Sequence, residues 1–315
     1  MSPNSWTCLH PSNATEAKLS LDNRGLAYGD GFFTTMGVID GQILWLDYHQ
    51  QRLVSHAAAL QLQLDSQSLL AMLKTHAKQL QQGMLKLIVT RAEQEVRGYG
   101  YTPNTGGSAC EIWFKSSPMA ITTAQSLPLA NNQFISLQPA ASAICLSSQI
   151  ACLPPPLAGL KSLNRLDNVL ASGELQAIKA KTLAGTIKPS IAEGLLRDMS
   201  GQWVEGTMSN VFYQLVEAPV AKSSNRPHSQ NNSSNYLTQG QWYTPSMAQS
   251  GVAGVMRQVI IDALANTERP VVMRSLHDED LPRITRLFFC NALRGIMPMS
   301  SLRLFSGEVV SFEAI

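Results

Sequence analysis

The sequence has little charge, few cysteines in any pattern and no long apolar run. Only 15% of its 315 residues are charged, and the formal net charge is +2. No Lys/Arg run and no basic stripe interleaved with aromatics is present, so the footprint of nucleic-acid binding is missing. The five cysteines (Cys8, Cys110, Cys145, Cys152 and Cys290) are scattered and never spaced CxxC. That argues against a disulfide framework or a zinc site and leaves reduced thiols. The six histidines form no HExxH or other metal-ligand spacing, so no metal is expected. The stretch from Ser116 to Leu160 is free of charge, but Pro, Gln, Asn and Ser interrupt it. It does not supply the roughly 20 apolar residues of a membrane-spanning helix. The opening MSPNSWTCLHPSN lacks the basic and apolar regions of a secretory signal. The expectation is a cytoplasmic protein with no membrane and no nucleic-acid partner.

What is present reads as globular α/β, with 44% hydrophobic residues. Asp40-Gly41 predicts a turn between two short strands. A helix opens near Asp47, with Leu53, Ala57 and Leu60 at helical spacing. A second helix is expected over Ser66 to Gln81, ended by Gly83, followed by a strong strand from Met84 to Thr90 and another from Cys110 to Lys115. Pro118 and Pro128 punctuate the uncharged region, which places a domain boundary after residue 118. A helix follows Lys161, its apolar side assigned to Leu163, Leu166, Leu170 and Ala177. Leu195 to Arg197 pairs with Gln202 to Glu205 across Ser200-Gly201, and Asn210 to Val216 follows. Residues 219–239 are polar and low in complexity and read as a mobile surface loop. A helix starts near Gly254, Arg286 to Cys290 is a late strand, and Ser306-Gly307 turns a final hairpin.

Several short segments carry candidate chemistry. Tyr28-Gly29-Asp30-Gly31-Phe32-Phe33-Thr34-Thr35 has GxG spacing without the third glycine of a dinucleotide fingerprint, and no P-loop exists. It reads either as a tight turn into a strand or as a loop lining a ligand. Lys161 lies between a Pro/Gly segment and an amphipathic helix, as a solvated charge or as an amine in a pocket that lowers its pKa. Glu205 ends an apolar strand, as a plain strand-end carboxylate or as the partner of a cofactor ring nitrogen. Gly251 to Arg257 enters a helix whose free N–H groups favour phosphate. Arg52 sits mid-helix as a surface charge or as one arm of a phosphate clamp. Arg97-Gly98-Tyr99-Gly100 forms either a hairpin tip or a grip for a carboxylate. His49 and His56 share a helix face with Arg52 and receive no role.

In order, the GDGxFTT loop, the QRL helix, the RGY loop, KSLNRLDNVLAS, WVEGTMSN, GVAGVMR and CNAL resemble the fold-type IV pyridoxal-phosphate (PLP) enzymes, over roughly Leu19 to Pro298. That family includes branched-chain aminotransferases, D-amino-acid aminotransferases and aminodeoxychorismate lyase. LKSLNRLDNV, the RGY loop, GVMRQ and CNAL followed by Met-Pro look most like the lyase. Arg294-Gly295 stands where the lyases more often carry apolar residues.

The resemblance implies a two-domain α/β (α+β) fold. Residues 1–118 would form a small N-terminal domain, and 119–315 a larger PLP-binding domain with a mixed, barrel-like sheet. It implies PLP held covalently by Lys161, with Glu205 on the ring nitrogen. Arg52 and the N–H groups of Val255 and Met256 would hold the phosphate, and Asn210 would belong to the cofactor site. Arg97, Tyr99 and Tyr28 would line the substrate side, from this chain or its partner, since the family dimerises. Thr34 or Thr35 would act near the substrate. The implied reaction is 4-amino-4-deoxychorismate to 4-aminobenzoate and pyruvate, a step of folate synthesis. Transamination on the same fold is the alternative, and a non-enzymatic binding protein a further one.

Overall fold

The structure is a computed structural model that describes residues 6–10, 18–102, 109–121, 125–129, 133–183, 191–216 and 236–312. The first part of the chain runs β1 (Trp6–His10), α1 (Arg24–Tyr28), β2 (Gly31–Ile39), β3 (Gln42–Ile43), α2 (Leu46–Ala59), α3 (Ser66–Leu80), β4 (Gly83–Arg91) and β5 (Cys110–Pro118). Its strands make a 5-stranded sheet in the order β1-β5-β4-β2-β3. The turn between β2 and β3 lies where Asp-Gly predicts it, and Asp40 and Gly41 both take positive φ (50° and 68°). Side chains alternate across β2 and β4, so each strand shows two unlike faces. Phe32, Met36, Leu85, Leu87 and Val89 join Leu53, Ala57, Leu69 and Leu73 of α2 and α3 in one core. Each of the larger side chains among them contributes about 1.5–3 kcal/mol on burial. The opposite face, with Phe33, Thr35, Lys86 and Ile88, is half-buried. Gly83 does not end α3. Gln81 takes the positive φ (62°) there, and Gly83 is the first residue of β4.

The remainder runs β6 (Gln125–Pro128), β7 (Phe134–Leu137), β8 (Ala141–Ile150), α4 (Leu166–Leu183), β9 (Ile191–Asp198), β10 (Trp203–Gly206), β11 (Asn210–Leu215), β12 (Tyr243–Thr244), α5 (Val255–Leu264), β13 (Val272–Met273), β14 (Ile284–Asn291), β15 (Gly295–Arg303) and β16 (Val309–Ser311). These strands build an 11-stranded mixed sheet. Within it β8, β9, β10, β11, β14 and β15 pair successively, and β15 returns to β8. The ring closes as the expected barrel-like sheet, which leaves no open edge among those strands. Phe212, Phe288 and Trp242 pack with Met256, Val259 and Ile260 of α5 on one side.

The face of α4 differs from expectation. Leu166, Val169 and Leu170 are 77%, 61% and 70% exposed, and Ala171 and Leu175 are buried against β8 and β9 instead. Apolar residues occupy more than one side of this helix, so periodicity alone selects the wrong one. Of the 219–239 stretch, residues 219–235 lie outside the described residues. Tyr236 to Thr238 form a short 3-10 turn whose Tyr236 and Leu237 are buried under Trp242 and Phe288, which corrects that end of the loop. No helix among the described residues is long and apolar enough to cross a membrane.

Candidate active site

Lys161 lies in a short extended segment that ties the two sheets together. Its carbonyl accepts from Phe33 N–H (3.0 Å), and Leu163 N–H donates to Gly31 carbonyl (3.1 Å), forming an antiparallel bridge to β2. Its own N–H donates to Nε2 of His56 at 2.9 Å. With the backbone held on both sides, the side chain leaves in one direction. Nζ stands 4.5 Å from the centroid of the Phe33 ring, a cation–π contact on the open face of β2. Burial first, and the positive charge of Arg52 second, pull the ammonium pKa down to about 8, against an upward pull from Glu205. A lysine in this state is partly unprotonated near neutral pH, as a nucleophile or proton acceptor requires.

Glu205 sits at the β10–β11 junction, 3% exposed. Its Oε2 accepts from Val252 N–H at 2.9 Å and from Asn210 Nδ2 at 3.5 Å, and its Oε1 accepts from Asn168 Nδ2 at 3.4 Å. Burial nevertheless pushes its pKa up to about 7. Asn210 also donates to Val252 carbonyl at 2.8 Å, which fixes the approach to α5. Gly254 is required there, because a Cβ would overlap Asn210 Oδ1. As N-cap, Gly254 offers no side-chain acceptor to α5, so the N–H groups of Val255 and Met256 have no cap.

Arg52 projects from α2 towards that helix start. Nη2 donates to Ala253 carbonyl at 2.7 Å and Nη1 to Thr34 Oγ1 at 3.4 Å. The residue is 7% exposed, and among the described residues no carboxylate lies within ion-pair distance of it. A buried guanidinium without an anion is costly. Glu205 likewise has no ion-paired base among the described residues, although it is buried. This donor set fits PLP: an anion at the uncapped helix beside Arg52, a protonated ring nitrogen at Glu205, and an aldehyde within reach of the Lys161 amine.

The two threonines separate. Thr34 is fully buried on the α2 side of the sheet, where Oγ1 contacts His49 Nδ1 (3.0 Å) and Arg52. It orients Arg52 and does not face Lys161. Thr35 lies with Phe33 on the half-buried face. Arg97, Tyr99 and Tyr28 are not gathered around Lys161. Tyr99 is 84% exposed and packs edge-on against Tyr28 at 5.2 Å, while Arg24 donates to the carbonyls of Gly98 and Tyr99. Asp30 holds Arg24 and Arg91 together at 2.9 Å each. This group adjoins the lysine segment through Asn164, whose Nδ2 donates to Gly29 carbonyl.

Three nearby residues were not assigned from sequence. His56 lies one helical turn after Arg52. Asn168 reaches Glu205 from the first turn of α4. Lys86 stands opposite Thr35 in the β2–β4 register, its Nζ 5.5 Å from the Phe33 ring and 5.9 Å from that of Trp6. Its position is legible as the one charge within the apolar run Met84 to Val89, whereas His56 and Asn168 act across long separations that leave no local pattern.

The sequence profile described as amino-transferase class IV matches residues 31–302. The chain belongs to the class IV aminotransferase family. Curated relatives of this class IV protein include the aminodeoxychorismate lyase of Vibrio harveyi, 23% identical over 288 residues (91% of this chain and 88% of the relative). A putative branched-chain-amino-acid aminotransferase of Methanocaldococcus jannaschii is 28% identical over 304 residues (95% and 87%). Among solved structures, the 4-amino-4-deoxychorismate lyase of Pseudomonas aeruginosa aligns with TM-score 0.66 and 30% identity, covering 91% of this chain and 88% of that one. A hypothetical aminotransferase of Mycobacterium tuberculosis in PLP-bound form aligns with TM-score 0.64 at 17% identity (98% and 93%). The protein is thus an enzyme of the PLP-dependent fold-type IV group, and its architecture is that fold.

Proposed function

We propose that this enzyme is a PLP-dependent lyase that converts 4-amino-4-deoxychorismate to 4-aminobenzoate and pyruvate. The observation that carries this reading is the likeness to the Pseudomonas aeruginosa lyase across 91% of the chain. When bound, PLP supplies an electron sink for negative charge at the carbon that bears the substrate amine. Lys161 would hold the cofactor, Glu205 would pair with its ring nitrogen, and Arg52 with the N–H groups of Val255 and Met256 would hold its phosphate. Asn210 keeps Glu205 and the α5 entry in register. Once released to solvent-free contact with substrate, Lys161 Nζ takes the proton from the amine-bearing ring carbon. The bond from the neighbouring ring carbon to the enolpyruvyl oxygen breaks with its electron pair leaving on that oxygen, aromatisation drives the departure, and the released enolate takes a proton at its methylene carbon to become pyruvate.

The substrate has two carboxylates, and Lys86 suits one of them. Among the described residues it has no ion-paired carboxylate, and it shares the Phe33 face with Lys161. Lys86→Gln is expected to raise KM for aminodeoxychorismate on the order of 10- to 100-fold, the worth of one charge-assisted hydrogen bond, with kcat changed far less. Initial-rate measurements check this, and an unchanged KM removes Lys86 from the substrate site. Arg97, Tyr99 and Tyr28, which are not gathered around Lys161 of their own chain, would serve the substrate side of the partner protomer, and Thr35 would be the threonine nearer the substrate. A homodimer belongs to the same reading, supported by the exposed Leu166, Val169 and Leu170 and by the exposed Tyr99 loop. So do a cytoplasmic place in folate synthesis and a division into domains 1–118 and 119–315.

The likeness to the Methanocaldococcus jannaschii protein favours a second reading, transamination of a branched-chain or D-amino acid. Incubation with aminodeoxychorismate, followed by 4-aminobenzoate fluorescence, separates the two. Release of 4-aminobenzoate without any keto-acid acceptor is expected. Amino transfer to 2-oxoglutarate with no 4-aminobenzoate would overturn the lyase.

A further inference from the structure

We infer that His56 is a positioning residue that sets the stance of Lys161 by accepting its backbone N–H, a role that rests on the reading of Lys161 as the PLP-holding lysine. The bridge between residues 161–163 and β2 uses the Lys161 carbonyl and the Leu163 N–H. It does not use the Lys161 N–H, which His56 Nε2 receives at 2.9 Å. The imidazole is 5% exposed, with its ring edge-on to Phe32 at 5.4 Å between centroids. An acceptor Nε2 requires a neutral ring with its proton on Nδ1, which lies 3.2 Å from Ser55 Oγ. Burial, together with the charges of Arg52, Lys161 and Arg165, keeps the ring neutral by pulling its pKa down to about 3.

The arrangement couples two parts of the site. Arg52 and His56 are four residues apart and lie on one face of α2. Arg52 reaches the carbonyl just before α5, and His56 reaches the amide of the lysine. One helix face thereby sets the distance between the anion-holding and the amine-bearing elements. Without an acceptor at position 56, the Lys161 amide loses its partner in a buried place, and the backbone is free to rotate. Nζ then leaves its seat over Phe33, and its reaction with an aldehyde slows.

The test uses the full-length protein stripped of cofactor, the Leu and Gln variants at position 56, and PLP as probe. Covalent capture is trapped with borohydride and timed by mass spectrometry. His56→Leu keeps the packing on Phe32 but offers no acceptor, and it is expected to capture PLP about tenfold more slowly. His56→Gln presents an amide oxygen and is expected to recover most of that loss, with His56→Leu melting no more than a few degrees below the other two. Capture by His56→Leu at the wild-type rate overturns the inference, as does a Gln variant as slow as Leu. If His56→Leu does not fold, amide hydrogen exchange in the wild type decides the contact. A protected Lys161 amide supports it, and one exchanging as fast as a solvated loop overturns it. A wild type that captures no PLP refutes the cofactor reading instead, and the exchange result still stands alone.

Discussion

Lys161→Ala is expected to abolish the visible absorbance that purified, PLP-loaded protein should show, and to lower turnover on the order of 10⁴-fold or more. The backbone on both sides of the residue is tied to β2 and to His56 by main-chain groups. The substitution therefore removes the amine without unseating the segment. Lys161→Arg is expected to fail as completely, since a guanidinium keeps the charge but neither attacks an aldehyde nor gives up a proton near neutral pH. Lys161→Ala should melt near the wild-type temperature when cofactor-free, because the lost ammonium is one that burial already disfavours, whereas Lys161→Arg should melt below it, because a guanidinium cannot shed its charge beside Arg52. Absorption spectra and steady-state rates check the result. A Lys161→Ala protein that still binds PLP covalently and turns over would remove the residue from the chemistry.

Glu205→Gln should divide function from stability. In the unfolded chain this carboxyl releases its proton near 4.5, while burial raises its pKa in the folded chain to about 7. Between those values the folded state holds a proton that the unfolded state has lost, so stability is full below about 4.5 and falls as pH rises towards 7. The loss amounts to about 3 kcal/mol above pH 7. A glutamine keeps an acceptor for the Val252 N–H and carries no charge to bury. The cofactor-free variant is thus expected to melt several degrees above wild type at pH 8, and level with it at pH 4.5. Turnover, by contrast, should fall on the order of 10²-fold, because a neutral amide no longer holds the ring nitrogen protonated. Melting curves at the two pH values and steady-state rates are the measurements. A variant that melts below wild type at pH 8 would mean that Glu205 is stabilised by its hydrogen bonds more than it is penalised by burial.

How much of this was legible in the sequence depended on distance along the chain. The β2–β3 turn, β4 and the α5 entry follow from local chemistry: a residue pair that tolerates positive φ, a short apolar run ending in β-branched residues, and a glycine at a helix start. The grouping of Lys161, Glu205 and Arg52 came from motif resemblance, and the geometry brings all three to one place. The face of α4 was misjudged because Leu166 and Leu170 are as apolar as Leu175, and only the packing of β8 and β9 decides which side is covered. Thr34 and Thr35 are chemically alike and adjacent. Their opposite directions follow from the register of β2, which places Thr34 under α2. The His56 contact had no sequence signal, since its partner is another residue's backbone.

The reach of α2 has a consequence for how the protein is made. His56 bonds to a residue 105 positions downstream, and Arg52 to one 201 positions downstream. At about 5–20 residues per second of synthesis, Arg52 waits on the order of 10–40 seconds for its acceptor to be made. During that interval α2 presents a bare guanidinium and imidazole to water. The N-terminal third can thus collapse around Leu53 and Leu73 well before any catalytic pocket exists, and ribosomal delivery of residues 161 and 253 times its completion.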